Sequence, residues 1–135
     1  MTLDRQKMID RCLDGFFLAL NAKDMGRLRA SFTPDCQMII PSSDLIYADA
    51  EAIIVHLEDF AETFATINFH DFIVVPDPEQ KRAAATFTVT LTDPDGDVTE
   101  MRNANFFEFT EDHLISRVLI IATKPLDKGF QVGRS

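Results

Sequence analysis

The chain has no tryptophan, a single tyrosine, two cysteines and five glycines among its 135 residues. Each scarcity excludes something. Five glycines leave little from which to build a nucleotide-cradling loop, and no GxSxG, CxxC or HExxH motif occurs. Cys12 and Cys36 lack metal-type spacing and read as free, buried thiols. Neither HxH nor HxxxH links His56, His70 and His113, and no carboxylate completes a facial triad, so no metal and no cofactor is expected. Basic residues number 13 against 22 acidic ones, a net charge of -9. Such a surface repels nucleic-acid phosphates and anionic membranes. No run approaches the ~20 apolar residues of a membrane span. Charges scattered through Met1 to Asp14 do not read as a leader, and the expected location is the cytoplasm.

What is abundant is phenylalanine, twelve in all. Phenylalanine adds apolar area without a polar handle, so the interior should be unusually apolar. At 46% hydrophobic and 26% charged residues the chain is globular. Its length suits a single domain over residues 1–135.

The hydrophobic period divides the chain in two. Met8, Cys12, Phe16, Ala19 and Leu20 recur at helical spacing, which predicts a helix over residues 3–21. Asp24 can cap a short second helix reaching about Ser31, with Pro34 ending that region. Cys36 to Ile40 reads as a strand stopped by Pro41, and PSSDLIYA as a loop or short edge strand. Asp49 caps a third helix whose stripe is Ile53, Leu57, Phe60 and Phe64. After Ala65 the period becomes two. Ile67 to Val75 is a strand closed by Pro76-Asp77-Pro78. Ala83 to Leu91 alternates apolar residues with threonines, Val98 to Thr110 is the next strand, Glu111-Asp112 is a hairpin tip, and Leu114 to Thr123 is the last strand. Lys124 to Ser135 shows no period. Helices segregated from a mostly antiparallel sheet define an α+β fold.

Phe16 to Asp35, FFLALNAKDMGRLRASFTPD, resembles the opening of the nuclear-transport-factor-2-like superfamily, which includes ketosteroid isomerases, SnoaL-type polyketide cyclases and scytalone dehydratase. The resemblance implies three N-terminal helices on a strongly curved sheet that forms a cone around an apolar pocket. It leaves the reaction open, since that fold hosts isomerases, dehydratases, cyclases, hydrolases and binding modules. Ketosteroid isomerase works with an aspartate base and an oxyanion hole of tyrosine and protonated aspartate. By resemblance these three fall on Ile40, Phe16 and Asn105. Phe16 cannot donate a hydrogen bond and Ile40 cannot take a proton, whereas Asn105 can donate through its amide. Isomerisation by that machinery is therefore not expected.

The same resemblance still suggests which strand faces line the pocket. Cys36, Met38 and Ile40 should face inward, as should Met101, Asn103, Asn105, Phe107 and Phe109. Two asparagines amid Met and Phe are an uneven polarity that a ligand or the protein itself must satisfy. His70 is the acid-base candidate, by similarity to the catalytic histidine of scytalone dehydratase on the strand after the third helix. Asp71, adjacent on the strand, should point to the opposite face. His56 flanks the apolar stripe of its helix and reads as a boundary residue. Tyr47, in the loop before that helix, can orient a substrate carbonyl. Arg117 shares parity with Ile115 and should pair with Glu100 or Glu108. The other face of the Val98–Thr110 strand, with Arg102 and Phe106, is either solvated or a homodimer contact.

The function these residues imply is a cofactor-free isomerase, dehydratase or cyclase for a small, apolar, oxygen-bearing molecule. His70 is its acid or base and Asn105, with Asn103, binds an oxygen. Tyr47, Phe16, Met38, Ile40, Met101 and Phe107 hold the substrate. The alternatives are a non-catalytic ligand-binding or protein-interaction module, and a structural dimer whose cavity phenylalanine fills.

Overall fold

The computed structural model describes residues 2–123; the aperiodic segment from Lys124 onward lies outside them. The first helix starts at Asp4, whose side chain accepts from the Lys7 amide, and runs as α1 (Arg5–Cys12). It passes through a π-helical stretch, Leu13–Phe17, and continues as α2 (Leu18–Asn21). The wide turn has a local reason. Gly15 lies so close to Ser31 that a Cβ there would collide with the Ser31 hydroxyl. That hydroxyl donates to the Gly15 carbonyl at 3.0 Å. A π-bulge loosens the helical ladder and frees a carbonyl for such a bond. Helix α3 (Met25–Ser31) is capped by Asp24, and α4 (Ala50–Thr63) by Asp49, both as their sequences predict.

Six strands form one sheet among the described residues: β1 (Phe32–Ile40), β2 (Leu45–Tyr47), β3 (Thr66–Asp77), β4 (Arg82–Thr92), β5 (Val98–Phe109) and β6 (Ile115–Ile121). Their order is β2-β1-β6-β5-β4-β3. All pairs are antiparallel except β1 with β6. The fold is α+β.

Two prolines stand inside strands rather than ending them. Pro34 falls where the β1–β6 register shifts between Phe32 and Gln37, so no ladder bond is asked of it. Pro76 pairs with Ala83 on β3, an edge strand with one side free of ladder bonds. Opposite Glu108 and Phe109 of β5, β6 carries one extra residue, Ser116 between Ile115 and Arg117, and this bulge resets its parity. Ile115 is buried while Arg117, Leu119 and Ile121 turn away from the core. Arg117 meets Glu108 at 3.6 Å, the partner its sequence predicts, although it does not share a face with Ile115.

The inner face packs phenylalanine against phenylalanine. Phe17, fully buried, lies between Phe87 (ring centroids 4.6 Å apart) and Phe107 (5.9 Å, perpendicular). Edge-to-face pairs of this kind suit the ring quadrupoles. Asn21, from the Asn-Ala-Lys-Asp corner, ties the helices to the sheet. Its amide donates to the Phe69 carbonyl (3.0 Å) and accepts from the Phe69 N–H (2.7 Å). It supplies the bonds that an edge strand otherwise leaves open.

Candidate functional site

An internal cavity of about 30 Å³ lies between α4 and the inner face of the sheet. Phe16, Leu20, Leu57, Phe60, Phe69, Phe87, Val89 and Ile120 make its apolar wall. Three polar side chains join them: His56, Asn103 and Asn105. Among the described residues none of the lining is charged.

Asn105 sits at the centre of β5, opposite Ala85 on β4 and Ile120 on β6. It is 1% exposed, and its Oδ1 accepts no hydrogen bond among the described residues. A buried acceptor without a donor costs on the order of 1–3 kcal/mol. Asn103 differs, because its Oδ1 accepts from the Thr123 amide at 3.0 Å.

His56 is buried on the inner side of α4. Its Nδ1 lies 3.0 Å from the Tyr47 hydroxyl, and the two rings stack with centroids 4.4 Å apart. Burial disfavours the imidazolium and pushes the His56 pKa down to about 4, with Asp59 opposing in part. Burial likewise raises the Tyr47 phenol. At neutral pH the pair is a neutral imidazole against a neutral phenol. With Nδ1–H donating to Tyr47, the far ring nitrogen is a base; with the phenol donating, that nitrogen carries a proton and is an acid.

His70 stands elsewhere. Its neighbours Ile67 and Phe69 face inward, so His70 points to the outer face, with its side chain 34% exposed. Its Nε2 meets Thr90 Oγ1 at 2.9 Å and its Nδ1 meets Asp71 Oδ2 at 3.1 Å. The placement corrects two expectations: His70 does not line the cavity with Asn105, and Asp71 does not point away from His70. A register shift between His70 and Ile73, with Asp71 at φ 56°, turns the carboxylate back onto its neighbour.

Of the other residues expected at the site, Phe16, Asn103 and Asn105 line the cavity. Tyr47 reaches it only through His56. Met38, Ile40, Met101 and Phe107 are buried in the core but outside its lining. His56 is the residue that sequence reasoning passed over. Its signal was present: it lies three residues after Ile53 and four before Phe60, so it shares their helical face. Both cysteines are free and buried, and burial pushes each thiol up to about 12. Among the described residues no group of three His, Cys, Asp or Glu side chains could hold a metal ion. None of their helices is long and apolar enough to cross a membrane.

Helices on one face of a mixed sheet, around a cavity with a buried histidine and two asparagines, define an α+β domain of the cystatin-like kind. The chain belongs to the SnoaL-like domain family, whose profile matches residues 13–118. No curated protein matches it by sequence. Among solved structures it is similar to a protein of cystatin-like fold from Methylobium petroleophilum PM1 (21% identity, TM-score 0.74, covering 93% of this chain and 81% of that one). It is also similar to the BvnE pinacolase of Penicillium brevicompactum (14%, TM-score 0.76, 91% and 88%). A third is SalBIII, an epoxide hydrolase/cyclase-like enzyme of pyran ring formation in the polyether salinomycin (16%, TM-score 0.75, 88% and 92%). At these identities the likeness establishes the fold and carries no residue roles.

Proposed function

We propose that the protein is a cofactor-independent acid-base enzyme, an isomerase, dehydratase or cyclase, for a small apolar molecule bearing oxygen. The observation that carries this reading is the pairing of His56 with Tyr47 at the wall of an apolar cavity that also contains Asn105. His56 takes the role that its sequence position suggests for His70. Its low basicity suits it to relay a proton with Tyr47 rather than to hold one. Asn105 fixes a substrate oxygen. The cavity admits a group about the size of a water or a hydroxyl, so the body of a substrate enters by parting the surrounding side chains. Structural neighbours described as a pinacolase and as an epoxide hydrolase/cyclase-like enzyme of pyran ring formation are in keeping with such a site.

The test is deuterium exchange from solvent into a panel of enolisable carbonyl compounds, with and without a hydroxyl, followed by NMR at pH 7. Wild type accelerates exchange for at least one member. His56→Gln loses about 10²- to 10⁴-fold of that acceleration; Tyr47→Phe loses less, and His70→Gln loses none. An inert panel, or an unchanged His56→Gln, sinks the reading.

The placement of His70 on the outer face favours a second reading, a non-catalytic ligand-binding or protein-interaction module on the same fold. Under either reading the protein works as a homodimer in the cytoplasm, where its two thiols stay reduced. Support for the dimer comes from the outer sheet face, where Ile73, Val75 and Phe106 are exposed beside Arg82, Glu108 and Arg117. Apolar area ringed by both charge signs suits self-association. In sedimentation, Phe106→Arg is expected to run at half the mass of wild type; equal masses overturn the dimer.

A further inference from the structure

We infer that the ligand of the inner cavity is an uncharged molecule that presents a hydroxyl, and that this hydroxyl donates to Asn105 Oδ1. The inference rests on the proposed site and names the class of molecule it takes. Three observations carry it.

The first is charge. Among the described residues no Lys, Arg, Asp or Glu lines the cavity, and His56, the titratable residue in that lining, is neutral at pH 7. A carboxylate or phosphate brought there would be desolvated with no cation to meet it. Acidic ligands are thereby excluded, and so are cationic ones.

The second is polarity of a definite sense. Asn105 Oδ1 is a buried acceptor that lacks a donor among the described residues, while the corresponding oxygen of Asn103 is already engaged by the Thr123 amide. A ketone or ether oxygen can accept from Asn105 Nδ2–H but leaves Oδ1 without a donor. A hydroxyl brings the missing proton and keeps its own lone pairs for a second donor.

The third is size. The cavity of about 30 Å³ matches one hydroxyl-sized group, with phenylalanine and aliphatic side chains around it. The polar end of the ligand therefore fits the cavity, and its apolar body lies against the phenylalanines.

Propan-2-ol, acetone and acetate form a matched test set, alike in size and shape and all miscible with water. Each is titrated into 15N-labelled protein; the Asn105 side-chain amide is followed by NMR in wild type, and neighbouring backbone amides in wild type and in Asn105→Leu, a variant of similar shape. Propan-2-ol is expected to saturate the Asn105 amide shift at a concentration about tenfold below acetone, with acetate giving no saturable response. In Asn105→Leu the alcohol's advantage over acetone, read from neighbouring amides, falls to about onefold. Because the replaced acceptor has no donor to lose, Asn105→Leu should fold at least as well as wild type; a large loss of stability marks Asn105 as structural and overturns the inference. Acetone saturating the same amide as readily as propan-2-ol also overturns it, and leaves the acid-base reading standing if His56→Gln still abolishes exchange. No response in the cavity to any of the three overturns both.

Discussion

The two faces of the sheet use histidine in opposite ways. On the inner side His56 is buried, neutral and stacked on Tyr47, at a cavity whose described lining is uncharged. On the outer side His70 sits in a wet polar net: Asp71 on one ring nitrogen, Thr90 on the other, and Thr90 donating onward to Glu100 at 3.0 Å. Arg102 extends that net, donating to Thr86, Thr88 and the Asp71 carbonyl. The same side chain thus sits in a high-dielectric network on one face and in a desolvated cavity on the other. Interactions in the cavity are strong and costly to mismatch, whereas those in the net are weak and replaceable.

Packing shows the contrast at its largest. Phe17 touches the rings of Phe16, Phe69, Phe72, Phe87 and Phe107. Phe17→Ala is expected to cost about 3–5 kcal/mol in urea unfolding, as transfer and cavity terms add. Phe106, 46% exposed on the outer face, is expected to change stability by no more than about 0.5 kcal/mol as Phe106→Ala in dilute protein. Comparable losses at the two positions would erase the distinction between the faces.

Much of this was legible from residues alone. Caps at Asp24 and Asp49 and the alternation from Ala83 to Leu91 follow local rules that tertiary structure respected. The inward set of β5, Met101 to Phe109, followed from parity. Failures came where a single residue breaks a period. Bulges after His70 and at Glu108–Phe109 change which side chains share a face, and alternation cannot see an extra residue. The placement of His70 departs from expectation for a related reason. His70 drew attention by standing within an apolar strand, yet strand parity puts it opposite Phe69. His56 looked like the flank of a helical stripe, but α4 buries a face wide enough to include it. Its partner Tyr47 lies on a short edge strand, and nothing in the spacing of residues 47 and 56 announces a stacked pair.

Acid should separate the histidines next. His56 has a folded pKa of about 4 against an ordinary 6.5. Above pH 6.5 it is neutral in both folded and unfolded chains and contributes no pH dependence. As pH falls from 6.5 towards 4 the unfolded chain gains a proton that the folded chain refuses, so stability declines through that window and levels off below it. The full loss is about 3 kcal/mol. Urea unfolding of wild type and His56→Gln at pH 7 and pH 4.5 checks it through the difference between the two proteins, which cancels the shared carboxylates. Wild type should lose more stability than the variant. An equal loss would mean that His56 accepts a proton where it stands.

The smallest effect is expected at His70, and its smallness is informative. His70→Gln removes the contact with Asp71 and leaves a group able to meet Thr90. Exposed pairs of this kind are worth about 1 kcal/mol or less, and salt screens them. Phe69, adjacent to His70 on β3, lines the cavity, a route by which the outer net would shape the inner site. The geometry argues otherwise: Asn21 already holds both the N–H and the carbonyl of Phe69 from the helical side. With Phe69 fixed by two backbone bonds, the loss of one exposed side-chain contact should leave its ring in place. His70→Gln should therefore shift the urea midpoint slightly and leave the amide spectrum of the cavity residues unmoved. If those residues shift, the outer net reaches the cavity through Phe69, and the two faces are coupled rather than separate.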